Sequence, residues 1–278
     1  MLLFMFMMVF FFGLMCIMVN NVLIWWSVFL MMTLLFVMLN KMNMSFNSLF
    51  NYFVLQESLG LLFLLLMGNL QLMMLFLKVG VAPLHFWIFS VTNSVFGFNL
   101  MWFLTFQKLP FLFVIMQIVN VKFLFFLFVG LLLCLLQMLL IKSFKNLLIL
   151  SSTESFNWIL LSYVFSVLNV MIIFLYYFFM MMILIPKFTI NFNEFVDWET
   201  VLVFLNLPFS VNFFVKIFAL VNIVNWMNLW ILFLLFLMFM SMISLSFWLV
   251  NLSVKNLNSN KYSKLYYMFL PLMMIVLI

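Results

Sequence analysis

An all-α polytopic membrane protein is the fold class this sequence predicts, and three observations predict it. Of the 278 residues, 71% are hydrophobic and 6% charged, too few polar side chains to clothe a water-soluble domain. Apolar runs of about 18 residues or more recur along the chain, each long enough to cross a bilayer as a helix. These runs lack the period-two alternation of a membrane barrel.

About eleven spans are expected, over roughly 2–19, 21–39, 48–67, 69–88, 99–118, 121–141, 145–166, 168–185, 200–224, 227–250 and 264–278. The first, MLLFMFMMVFFFG, has no basic n-region and no small-residue cleavage site, so it reads as a spanning helix rather than a signal peptide. The third carries Glu57. The fourth carries Lys78 ahead of Gly80, Pro83 and His85, and the fifth carries Lys108 ahead of Pro110. Glu154 lies inside the seventh span, with Lys145 at its edge, and Lys216 follows Pro208 in the ninth. The last span is short, which local bilayer thinning accommodates.

Charge placement orients the chain. Counting from the first helix, the even-numbered turns hold Lys41, Lys142, Lys145, Lys187, Lys255, Lys261 and Lys264, whereas the opposite side holds Lys122. The positive-inside rule then puts the N-terminus and the lysine-bearing turns in the compartment of synthesis and Ile278 on the far side. The segment NFNEFVDWE, with Glu194, Asp197 and Glu199, reads as a solvated loop or a docking segment on the lysine-rich side.

Composition narrows the setting further. The chain has 43 phenylalanines, no arginine, and Ala82 and Ala219 as its alanines. An A/T-rich organellar genome explains this bias better than any role for phenylalanine. Cys16 and Cys134 lie in apolar runs without metal-ligand spacing and read as small buried hydrophobes. No segment resembles a nucleotide-binding loop, a haem attachment or an iron–sulfur site.

Five charged residues remain inside spans: Glu57, Lys78, Lys108, Glu154 and Lys216. Each costs roughly 2.5–3.5 kcal/mol at a helix centre, on the order of 10 kcal/mol together, which pairing, water or function must offset. Lys78 and Lys108 lie about ten residues into their spans, roughly 15 Å along a helix, too deep to snorkel. Each of the three lysines also has a proline nearby, which frees a backbone carbonyl that only protein or water can satisfy in lipid. Lysine beside an interrupted helix is the pattern of a hydrated ion path; the alternative is a lysine held permanently by a carboxylate as structural glue. Burial disfavours an ammonium and a nearby carboxylate favours it, so a carboxylate whose influence changes lets a lysine take up and release a proton. His85 is either a relay between Lys78 and the next lysine or a packed residue beside Phe86 and Trp87.

The stretch LKVGVAPLHFW (77–87) and the FQK that ends at Lys108 resemble signatures of the antiporter-like chain 2 subunits of mitochondrial NADH–ubiquinone oxidoreductase, respiratory complex I. NYFVLQ (51–56), Ser151–Ser152 with Trp158, and LPFSVNFFVK (207–216) resemble further family segments in consistent order. The resemblance covers about residues 22–220. It implies a shortened, eleven-helix antiporter fold with its N-terminus on the matrix side of the mitochondrial inner membrane. It also implies inverted repeats with discontinuous helices: approximately 2–118 for the first repeat with part of the second, 121–250 for the second, and a C-terminal helix over 264–278. Lys78 and Lys216 match the lysines of the discontinuous helices, and Lys108 matches the family's central lysine.

Departures accompany the match. Aligning LIWWSVF with the family puts Phe29 where a glutamate pairs with the first lysine, which leaves Glu57 as the substitute partner. Ile88, Phe89, Ser90 and Val91 replace a valine–proline–glutamate–valine, and Ser155 replaces a histidine.

The resemblance implies a proton-translocating subunit within a single transmembrane domain. Protons would pass through Lys78, His85, Lys108 and Lys216, with Glu57 tuning Lys78 and Glu154 tuning Lys108. Partners would be other complex I subunits and membrane lipids, cardiolipin included, with no nucleic acid. No cofactor is expected in this chain; NADH, flavin, iron–sulfur clusters and ubiquinone belong to the rest of the assembly. The rival expectations are a free-standing cation/proton antiporter and a scaffold whose channel is silent.

Overall fold

The structure, a computed structural model, describes residues 2–41, 44–141 and 143–165, together with scattered positions between 174 and 246. The acidic segment 191–199, Pro208, the span 264–278 and the lysines 142, 187, 255, 261 and 264 lie outside the described residues. Every regular element among the described residues is helical. Two compact units divide the chain, Met1–Phe126 and Leu127–Ile278.

In the first unit, α1 (Leu2–Met18), α2 (Val22–Asn40) and α3 (Phe46–Leu65) match the first three expected spans within a few residues. The fourth span is broken into α4 (Asn69–Val79) and α5 (Phe86–Thr92). The fifth is likewise broken, into α6 (Gly97–Leu104) and α7 (Lys108–Ile118). A 3-10 turn at Val121–Phe123 leads into α8 (Leu124–Leu140), and α9 (Phe144–Phe165) follows in the second unit. Among the described residues, five stretches are long and apolar enough to cross a membrane: Val22–Asn40, Phe46–Leu65, Gly97–Ile118, Val121–Leu140 and Lys145–Val164.

Within the first unit α7 packs against α1, α2 and α4, while α3 lies between α2 and α4 and also meets α5. Aromatic rings fill these seams. Phe29 stacks on Phe111 at 4.5 Å and meets Phe63 edge-on at 5.4 Å, and Phe36 lies 4.5 Å from Tyr52. Lipid tails are as apolar as these rings, so close van der Waals contact and interhelical hydrogen bonds, not water exclusion, hold such a bundle. The outward residues of α1, Phe4, Met7, Phe11 and Met18, are exposed, as a lipid-facing surface requires.

Helix ends in hydrocarbon must satisfy their free backbone groups from within the protein. The Asn21 side chain accepts from the Leu23 amide at 3.0 Å and caps α2. Trp25 donates to the Val19 carbonyl at 2.8 Å, and Gln117 donates to the Cys16 carbonyl at 3.0 Å, which serves the last turn of α1.

Candidate functional site

The break between α4 and α5 follows from Gly80. Its φ of +74° is the left-handed conformation that ends a helix and that glycine adopts without penalty. A Cβ there would collide with the Cδ1 of Ile88 and lie 2.7 Å from its Cγ1. The Ala82–Pro83 peptide that follows is cis. Three carbonyls in the last turn of α4 have donors. Phe76 accepts from the amides of Gly80 and Val81, both at 2.9 Å. Leu77 accepts from the Trp87 indole at 2.8 Å, and Lys78 accepts from Gln56 Nε2 at 3.1 Å.

A different device opens the break between α6 and α7. Pro110 has no amide to give to the Phe106 carbonyl one turn earlier, and that carbonyl accepts from Leu109 at 3.3 Å. Upstream, the Gln107 amide reaches back five residues to Trp102 at 3.1 Å, and Thr105 Oγ1 donates to the Met101 carbonyl at 2.6 Å. This widened turn places Lys108 at the first position of α7.

Lys78 is 4% exposed and Lys108 3%, and both border one small cavity in the first unit with Tyr52, Gln56, Gln107 and Phe111. The Lys78 ammonium lies over the rings of Phe29 and Phe111, 5.1 and 5.9 Å from their centroids. It also approaches α3 so closely that a Cβ on Gly60 would be 3.2 Å from Nζ. Thus Phe29, the residue that the sequence resemblance aligns with a glutamate, supplies the electron-rich face of a ring to the same cation.

Glu57 is half-buried on α3 and accepts a 2.8 Å hydrogen bond from Thr33 Oγ1 on α2. Its charge acts on Lys78 through space, whereas the ammonium's near neighbours are aromatic. The expected substitute partner is therefore present without forming the direct ion pair that the word pairing implies. His85 is fully buried at the start of α5, its ring 5.0 Å from Phe86 in a stacked arrangement and 5.7 Å from Phe89 edge-on. It is not among the residues that line the cavity shared by Lys78 and Lys108.

The second unit has its own buried charge centre. Lys216 Nζ meets Glu154 Oε1 at 2.6 Å, with both side chains buried. Trp158, one turn further along α9, donates to the same oxygen at 3.1 Å. The sequence reading assigned Glu154 to Lys108; the ion pair that Glu154 makes is with Lys216, 62 positions away along the chain. Ser152 and Thr153 beside it turn their hydroxyls onto the carbonyls of Ile149 and Leu150.

Tyr52, Gln56, Gln107 and Thr33 went unremarked as site residues in the sequence. The signal was there as neutral polar side chains within apolar spans, but a search for charges passes over them. Among the described residues no group of three or more His, Cys, Asp or Glu is arranged to hold a metal ion.

No protein-family model matches the chain. Two curated relatives do. The chain is 54% identical over 275 residues to NADH-ubiquinone oxidoreductase chain 2 of Caenorhabditis elegans, covering 96% of each. It is 47% identical over 257 residues to the protein of the same name from Ascaris suum, covering 91% of this chain and 86% of that one. Among solved structures it is similar to a chain of respiratory complex I from Thermus thermophilus with bound aureothin. That match has a TM-score of 0.66 and 14% identity, and covers 96% of this chain and 75% of the other.

Proposed function

The chain belongs to the NADH-ubiquinone oxidoreductase chain 2 family, and from that premise we propose that it carries protons through the membrane arm of respiratory complex I. The observation that carries this reading is the pair Lys78 and Lys108, each buried beside an interruption of its helix and both bordering one cavity. Nothing in packing alone calls for two cations at two adjacent helix breaks, given the cost of each in hydrocarbon.

In this reading Lys78, Lys108 and Lys216 are the proton-bearing groups. Glu57 acts on Lys78 through space, held by Thr33, and Glu154 holds Lys216 with help from Trp158. His85, buried at the start of α5, is the relay between Lys78 and the next lysine in this reading. A shift of Glu57 relative to Lys78, or of Lys216 relative to Glu154, changes which protonation state is favoured and moves a proton onward. Redox chemistry on NADH and ubiquinone takes place in other subunits, with no cofactor in this one.

The finer architecture goes with it: about eleven spans, inverted repeats over approximately 2–118 and 121–250, and a closing helix over 264–278. The N-terminus faces the matrix across the mitochondrial inner membrane, as the lysine asymmetry supports, and the lysines on that side meet cardiolipin head groups and neighbouring subunits.

A native gel of mildly solubilised membranes, with in-gel NADH dehydrogenase staining and peptide mass spectrometry, tests the assembly. The chain is expected in the large stained band. Its confinement to a small unstained band would instead favour a free-standing antiporter.

A further inference from the structure

Thr33 is fully buried on α2, and its hydroxyl faces two acceptors at once. Oγ1 lies 2.7 Å from the Leu30 carbonyl on its own helix and 2.8 Å from Glu57 Oε1 on α3. A hydroxyl has one hydrogen to donate and two lone pairs with which to accept. A threonine inside a helix commonly gives that hydrogen to a carbonyl three or four residues back, and Leu30 alone would satisfy it. Helix packing does not call for the second acceptor on another helix. The contact also has a fixed place relative to Lys78. Phe29 and Thr33 are four apart on α2, and Glu57 and Gly60 three apart on α3, so each pair shares a helix face. Phe29 and Gly60 both approach the Lys78 ammonium, which lies 5.1 Å from the ring centroid and would lie 3.2 Å from a Cβ on Gly60. Thr33 and Glu57 stand one turn further along that seam, where the carboxylate acts on Lys78 through space. Among the described residues, the hydrogen bond from Thr33 is the one that the Glu57 side chain makes.

We propose that the Thr33 hydroxyl is a two-way latch for Glu57, holding its side chain one turn from Lys78 whether the carboxyl group is ionised or protonated, so that Glu57 changes charge without changing place. The proposal rests on the lysine path of the preceding section and replaces a movement of Glu57 with a change of its charge. With Glu57 ionised, the Thr33 hydrogen points at Oε1, because a carboxylate is a stronger acceptor than a carbonyl. A hydronium ion then gives its proton to the carboxylate. One hydronium O–H bond breaks, one O–H bond forms at Oε1, and a water is left. The new carboxylic O–H donates to Thr33 Oγ1, while the threonine hydrogen turns onto the Leu30 carbonyl. Loss of the proton to water reverses each change. In both states every hydrogen has an acceptor and the carboxyl group keeps its position. The titratable groups that feel its charge are Lys78 on α4 and Tyr52 on α3 itself, and α2 carries none. Thr33 is thus a positioning residue that acts through Glu57. Three rotatable bonds would otherwise let this half-buried side chain swing away from the seam.

The test uses intact complex I reconstituted in vesicles, with protons moved per NADH oxidised as the readout. Thr33→Val keeps the side-chain shape and removes the hydroxyl, whereas Thr33→Ser keeps the hydroxyl and removes the methyl group. The expected result is a ratio lowered in Thr33→Val to that of Glu57→Gln, and close to normal in Thr33→Ser. Thr33→Val with Glu57→Gln should fall no further than Glu57→Gln alone. A packing role reverses the order, with Thr33→Val normal and Thr33→Ser lowered. That result, beside a lowered ratio in Lys78→Met, overturns the latch and leaves the lysine path standing. Normal ratios in Glu57→Gln and Lys78→Met overturn the path and the latch with it. Infrared difference spectra recorded during NADH oxidation read the charge change itself. A protonated-carboxyl band that is lost in Glu57→Gln and shifted in Thr33→Val is expected. Should Thr33→Val not assemble, the unmodified and Glu57→Gln complexes decide: a band lost in Glu57→Gln supports a carboxyl group that titrates in place, and identical spectra overturn it.

Discussion

Lys216 and Glu154 illustrate what a charge in hydrocarbon demands of its neighbours. Their 2.6 Å contact satisfies each at the other's expense of freedom, and the Trp158 indole adds a second donor to the same carboxylate oxygen. Removing one member of a buried pair costs about 3–5 kcal/mol because the survivor is left uncompensated. Lys216→Met is therefore expected to lower the amount of assembled complex on a native gel, and Lys216→Met with Glu154→Gln to restore most of it. Equal losses in the single and double variants would mean that the pair is not what stabilises this region. Gly60 makes a similar point at Lys78. A methyl group there would stand 3.2 Å from the ammonium, tighter than ordinary contact. Gly60→Ala is expected to leave assembly intact and to lower proton movement per NADH, read in reconstituted vesicles.

At the scale of elements, the two interrupted helices carry the site, and they are broken by different means. The first depends on the left-handed Gly80 and the close approach of Ile88. Gly80→Ala adds about 1–2 kcal/mol of backbone strain and a collision with Ile88, so assembly should fall sharply. Gly80→Ala with Ile88→Ala removes the collision but not the strain, and should assemble better than Gly80→Ala alone; thermal release of the subunit from the complex reads the difference. Both breaks were legible in the sequence from Gly80, Pro83 and Pro110, because glycine and proline act locally through the backbone. Helices over the first seven expected segments were legible for the same kind of reason, since apolar length is a local property, and five of the described stretches are long and apolar enough to cross a membrane. Partner choice was not. Glu154 finds Lys216 through tertiary packing that no spacing encodes, and Phe29 and Phe111 are two rings among 43 phenylalanines. Gln56 and Gln107 escaped notice because an amide in a span carries no charge to mark it.

At the scale of the whole molecule, the charged side chains that are buried among the described residues are Lys78, Lys108, Glu154 and Lys216. Both units hold buried lysines: Lys78 and Lys108 on a shared cavity in the first, and Lys216 on Glu154 in the second. The most direct test is the number of protons moved per NADH by reconstituted complex I carrying Lys78→Met, a substitution of similar length that removes the titrating group. The lysine path predicts a lowered ratio in a complex that assembles normally and still oxidises NADH. An unchanged ratio in that complex would contradict it and leave the chain a structural member of the membrane arm.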